Sequence, residues 1–211
     1  MKILPIAIAT LAALGASTAQ AATYSGYTAP GTKLSIGDSA ILPMHIPSKG
    51  AFPARITVTG IERGSMEDLR RAGFSIPPAL ANHVPYYVNY SMAIVDMNGY
   101  GPSEIAGLAI FNSTAIDDRN EARMATIFTP GSAMAGAHFD RCRRPAVFGS
   151  NAGVGSTASG CQIYMVNANG AITGWRIQIS AESFNGDNAY WNSPVVWSSG
   201  AAPQVSGDKN W

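Results

Sequence analysis

The chain predicts an all-β domain made of two packed antiparallel sheets with one short peripheral helix. Short segments alternate apolar and polar residues, turn-forming residues recur between them, and only one stretch carries helix signals. Glycine (22) and proline (13) are spread along the 211 residues, as expected for many turns and not for one disordered tract. A closed barrel is the alternative use of the same strands. No internal repeat or low-complexity block points to a solenoid or propeller.

Met1-Lys2 places one positive charge before the apolar-or-small run Ile3 to Leu14, and Ala19-Gln20-Ala21 offers alanine at both positions a signal peptidase reads. Cleavage is expected after Ala21. A membrane anchor is the competing reading, but this run is well short of the ~20 residues that span a bilayer. No cysteine near the cut offers a lipid attachment point. Residues 1–21 are thus expected to be a signal peptide, 22–32 a flexible leader, 33–198 the domain and 199–211 a flexible tail. The mature chain is expected outside the cytoplasm, periplasmic or released, with no transmembrane segment.

Lys33 to Asp38 opens the strand pattern. Arg55 to Ile61 alternates, so that Ile56 and Val58 are expected to face a core and Thr57 and Thr59 water. Ser65 to Gly73 is the helix: Ser65 caps, Asp68 completes a capping box, acidic residues lead, basic residues trail and Gly73 can end it. Phe74 to Val84, with Pro77-Pro78, reads as an extended excursion. Val84 to Asp96 is the strongest strand, with Tyr86, Val88, Tyr90, Met92 and Ile94 on one face; Asn98-Gly99 then turns the chain. Glu104 to Phe111 and Arg123 to Phe128 are apolar enough for strands. Cys161, Ile163 and Met165 share a face, Asn167 to Gly170 turns, and Trp175, Ile177 and Ile179 share a face in a returning strand, which reads as a hairpin. Pro194 to Trp197 supplies the last strand.

With 13% charged residues and a formal net charge of +1, the chain has no field that suits nucleic acid or an anionic membrane. Cys142 and Cys161, an even count in an exported chain, are expected to form one structural disulfide. Their separation fits neither a close redox dithiol nor a four-ligand metal pattern.

Catalytic chemistry finds little support. The histidines are His45, His83 and His138, and no Gly-x-Ser-x-Gly element accompanies them. His138 and Asp140 would project to one face of a strand and could bind a metal, with Asp117, Asp118 and Glu121 as further oxygen donors. None of these has the spacing of a zinc, metalloprotease or calcium site. Arg141, Arg143 and Arg144, with Arg119 and Arg123, concentrate positive charge that neighbouring carboxylates balance. Tyr86, Tyr87, Tyr90, Trp175 and Trp197 fall on strands and read as core. Tyr190 and Trp191, in a polar stretch, are the candidates for exposed recognition.

The order Ile36-Gly37-Asp38, Val58 to Glu62, Tyr86 to Val88, Cys142, Gly160 to Val166 and Pro194 to Trp197 resembles the secreted bacterial immunoglobulin-like domains of unknown function, over about Lys33 to Trp197. That resemblance implies an immunoglobulin-like antiparallel β-sandwich with no assigned catalytic site. The cysteines depart from the antibody pattern, lying nineteen apart with no tryptophan between them. The region Ser65 to His83 is an insertion. The function expected is a secreted non-enzymatic binding module, without cofactor, whose partner is an extracellular protein or cell-envelope component. A hydrolase or metal-dependent enzyme using His138 and Asp140 is the alternative.

Overall fold

The computed structural model describes residues 24–72, 74, 76–110, 112–117, 122–123, 141–142, 146–179 and 188–200. Among the described residues, nine strands form two sheets. β2 (Ser39–Ile46), β3 (Gly50–Arg63), β4 (His83–Ile94) and β7 (Thr157–Asn167) make an antiparallel sheet in the order β2-β3-β4-β7. β1 (Lys33–Ser35), β9 (Val195–Ser198), β8 (Ile172–Ile177), β5 (Ser113–Asp117) and β6 (Ala122–Arg123) make the other, in the order β1-β9-β8-β5-β6. The all-β class holds. Among the described residues, no helix is long and apolar enough to cross a membrane.

Period-2 patterning explains why these segments pair as they do. Leu42, Phe52, Ile56, Val58, Tyr90 and Met92 of the four-stranded sheet share one core with Ala115, Trp175, Ile177, Val195 and Trp197 of the five-stranded sheet. Thr57 stays half-exposed and Thr59 exposed, as the alternation predicts; the register then slips between Val58 and Gly60, so that Thr59 is the extra residue of a bulge.

The opposite face of β4 is buried as well. Tyr87 packs with Leu69, Phe74, Ile163, Met165 and the Cys142–Cys161 disulfide in a second, smaller apolar cluster. Helix α1 (Met66–Arg71) covers it with Leu69. Ser65 Oγ accepts the Asp68 N–H at 3.1 Å, the first half of the expected capping box. The Asp68 carboxylate faces Arg141, whose Nη1 lies 3.3 Å from Oδ2, and Glu67 pairs with Arg71 one turn on at 3.2 Å. Gly73, expected to end the helix, lies outside the described residues. The excursion that follows holds a 3-10 turn at Pro78–Leu80.

Several expectations give way. The 161–179 segment is not a hairpin: β7 pairs with β4 and β8 with β5 and β9, so the Asn167 to Gly170 turn carries the chain from one sheet to the other. The reason is that β7 is apolar on both faces. Cys161, Ile163 and Met165 fill the second cluster, while Tyr164 and Val166 fill the main core and there meet Trp175 and Ile177 face to face.

The strand expected over Glu104 to Phe111 is not found among its described residues. Pro102–Ile105 forms the one-turn helix α2, because Pro102 is pre-set for a first helical position and the Glu104 carboxylate accepts the Gly101 N–H at 2.6 Å. The strand here is β5, a few residues later. β1 and β9 run parallel, an exception to the antiparallel expectation. Of the strand expected from Arg123 to Phe128, Arg123 ends β6 and the rest lies outside the described residues.

Within the leader, Thr28 and Gly31 are hydrogen-bonded to the fold. Thr28 gives its N–H to Ile41 O at 2.9 Å and accepts the Ile41 N–H on Oγ1, and Gly31 N donates to Ser193 O at 2.7 Å. A threonine that donates through its backbone and accepts through its side chain imitates a strand along the edge of β2.

Candidate functional site

The two ends of the fold differ in chemistry. Where β3 ends and β4 begins lie Glu62, Arg63 and α1 with Glu67, Asp68, Arg70 and Arg71, joined by Arg141. At the other end, the β2–β3 turn, the segment after β4, the leader and helix α3 (Ala189–Asn192) meet around tyrosines.

Tyr27 is the centre of that group. Burial first, and then Tyr190, Tyr24, Asp96 and Tyr100, push its phenol up to about 12, which places all four around it. Tyr24 and Tyr27 meet edge to face with ring centroids 5.0 Å apart. Tyr100 OH donates to Lys49 O at 2.6 Å, closing the β2–β3 turn against the segment after β4. That segment turns at Asn98-Gly99, both with positive φ (50° and 80°), as the Asn-Gly pair predicts; Asn98 Nδ2 also donates to Ala51 O at 2.8 Å. Lys49 pairs with Glu104, whose carboxyl is held below its ordinary range first by that bond and then by the Gly101 N–H.

Tyr190 and Trp191 separate in role. Tyr190 departs from the expected exposure: it is 2% exposed, packs into the main core and donates its hydroxyl to Thr28 O at 2.7 Å. One turn of helix cannot show neighbouring side chains to the same side, so the ring that anchors α3 forces the next one outward. Trp191 is 46% exposed. It joins Val147 (51%) and Val154 (66%) as the large apolar side chains exposed among the described residues.

Both valines belong to the same end. Phe148, beside Val147, packs edge to face on Phe52 at 6.1 Å, near the start of β3. Gly155 N, beside Val154, donates to Ile94 O at 2.9 Å, and Ile94 N donates to Ser156 O at 3.0 Å, at the end of β4. The loop from Ala146 to Ser156 therefore stands on buried anchors while its valines face water. Tyr24, Tyr27, Tyr100, Asp96 and both valines were not singled out in the sequence, because they come from three separate segments. The signal available was the company of Tyr, Trp, Gly, Ser and Asn in turns, a composition suited to recognition loops.

The remaining candidates fall elsewhere. Cys142 and Cys161 are bonded, as expected, with Cα atoms 5.1 Å apart. Asp117, weighed as a further oxygen donor, is 4% exposed at the end of β5. His138, Asp140, Asp118, Arg119, Glu121, Arg143 and Arg144 lie outside the described residues. Among the described residues, no three His, Cys, Asp or Glu side chains gather as a metal site. No protein-family model matches the chain, and no curated protein or solved structure is significantly similar to it.

Proposed function

We propose that this chain is a secreted, non-enzymatic binding module of immunoglobulin-like β-sandwich architecture, which presents its tyrosine-rich end to an extracellular protein or cell-envelope component. One observation carries the reading: Trp191, Val147 and Val154 emerge at the end where Tyr24, Tyr27 and Tyr100 collect. Exposed aromatic and aliphatic side chains on a firmly anchored frame are what binding surfaces offer, since little order is lost on contact. A disulfide fits export, because such bonds persist in oxidising compartments. A leader removed after Ala21 would leave Tyr24 close to the mature terminus.

The test is capture of native envelope and culture-medium fractions on the immobilised mature domain. Trp191→Ala paired with Val154→Asp is expected to abolish recovery of specific material, and Arg70→Ala paired with Arg71→Ala at the charged end to leave it intact. Equal recovery by both variants overturns the reading.

A further inference from the structure

We propose that Asn169 is a site of spontaneous covalent modification in the folded protein, converting to aspartate and isoaspartate through a cyclic imide with Gly170, while the fold protects the like pair Asn98-Gly99.

The chain has three Asn-Gly pairs, at 98–99, 169–170 and 185–186, the last outside the described residues. In such a pair the backbone nitrogen of glycine can attack Cγ of the asparagine side chain, because no Cβ shields that nitrogen. The N–Cγ bond forms, the glycine amide proton is lost and the side-chain nitrogen leaves as ammonia. Water, the co-reactant, then opens the imide at one carbonyl or the other, giving aspartate or isoaspartate. By dipeptide alone the pairs at 98 and 169 rank equal. What separates them is what each surrenders to bring Cγ over the next nitrogen.

Asn98 is held through both its main chain and its side chain. Its N–H donates to Asp96 Oδ1 at 2.8 Å, and its Nδ2, the nitrogen that would leave, donates to Ala51 O of β3 at 2.8 Å. Tyr100 N–H closes the same turn on Met97 O at 2.9 Å, and Tyr100 OH ties it to Lys49 O.

Asn169 is exposed, as are Asn167 and Ala168 before it. Its turn, where β7 hands the chain to β8, is closed by Gly170 N–H on Asn167 O at 2.8 Å and by Asn169 N–H on Asn167 Oδ1 at 3.2 Å. Both bonds are internal to the turn, so opening it exchanges them for water without disturbing another element. Arg63 Nη2 lies 3.3 Å from Ala168 O, so a guanidinium stands beside the turn. A cation there favours the negative charge that develops at the attacking nitrogen and then rests on the product carboxylate.

The experiment is incubation of the mature protein at mildly alkaline pH, folded and in urea, with peptide mapping by mass spectrometry that separates the asparaginyl, aspartyl and isoaspartyl forms. In the folded protein Asn169 is expected to convert about tenfold faster than Asn98 or more, the factor that the anchors on Asn98 amount to. In urea the two rates are expected to converge. Gly170 lies outside the left-handed region, so Gly170→Ala is expected to keep the near-ultraviolet circular dichroism spectrum and to slow the loss of Asn169 about tenfold. Asn98 converting as fast as Asn169 in the folded protein overturns the inference, as does an Asn169 that persists when folded yet converts in urea. A tenfold gap that survives in urea, or conversion that Gly170→Ala leaves unchanged, overturns it too.

Discussion

Trp175 Nε1 donates a 2.7 Å hydrogen bond to Tyr164 OH, joining β8 of one sheet to β7 of the other through the middle of the core. Tyr164 OH in turn donates to Gln162 Oε1 and lies 2.8 Å from Ser113 Oγ, and Gln162 Nε2 donates to Ile110 O at 2.9 Å. Tyr90 stacks on the Trp175 ring with centroids 5.3 Å apart and accepts the Ala146 N–H at 3.2 Å. Each polar group taken out of water here has a partner, so the network fixes how the sheets face one another without the cost of an orphaned donor.

Tyr164→Phe tests that account. It removes one hydroxyl yet leaves the Trp175 N–H buried and unanswered, so a loss of about 1–3 kcal/mol is expected in urea unfolding. Trp175→Phe in the same background removes the orphaned donor, and the two losses are then expected to be clearly non-additive. Simple addition of the two would show that the hydrogen bond contributes nothing.

Reduction of Cys142–Cys161 should act locally first. The bridge joins the second apolar cluster to the segment carrying Arg141, which reaches α1 through Asp68, whereas the main core contains neither cysteine. Loss of the cross-link is expected to lower stability by ~3 kcal/mol in the chain-entropy account. Hydrogen exchange should speed up at Leu69 and Tyr87 well before Ile56 or Trp197. Uniform acceleration through both clusters would mean that the disulfide braces the whole fold.

Alkaline pH bears on Tyr27 and Tyr87. Burial pushes each phenol from 10.0 up to about 12; for Tyr87, Asp68 adds to the rise and Arg141 opposes it. The folded chain therefore holds these protons more tightly than the unfolded chain does. Their contribution is fully present below pH 10 and is lost as the pH climbs through about 12. The melting temperature is expected to fall over that window, and to fall less steeply in Tyr27→Phe. Identical slopes in both proteins would show that Tyr27 ionises as freely folded as unfolded.

What could be read from the residues was local. Alternation over Arg55 to Ile61 and Val84 to Asp96 placed Ile56, Val58, Tyr86 and Tyr90 on a core face, since strand side chains change sides at every residue whatever the fold. Ser65 announced a helix because its hydroxyl needs only an amide three residues ahead. The cysteine pairing followed from having just two in a chain read as exported. Glu104 could have revealed its one-turn helix, but a short apolar run also looks like a strand.

Only the tertiary structure decided the relations between distant segments. Whether Asn167 to Gly170 closes a hairpin or crosses between sheets depends on which neighbours bury both faces of β7, and those neighbours include Tyr87, Cys142 and Trp175. The alternation cannot name them. Tyr190 and Trp191 looked equivalent in a polar stretch; the Thr28 carbonyl, 162 residues earlier, takes one inward and leaves the other in water. An exposed end built from the leader, two turns and a one-turn helix comes into being only when the chain closes, because burial and exposure are properties of the packed surface and not of the segment.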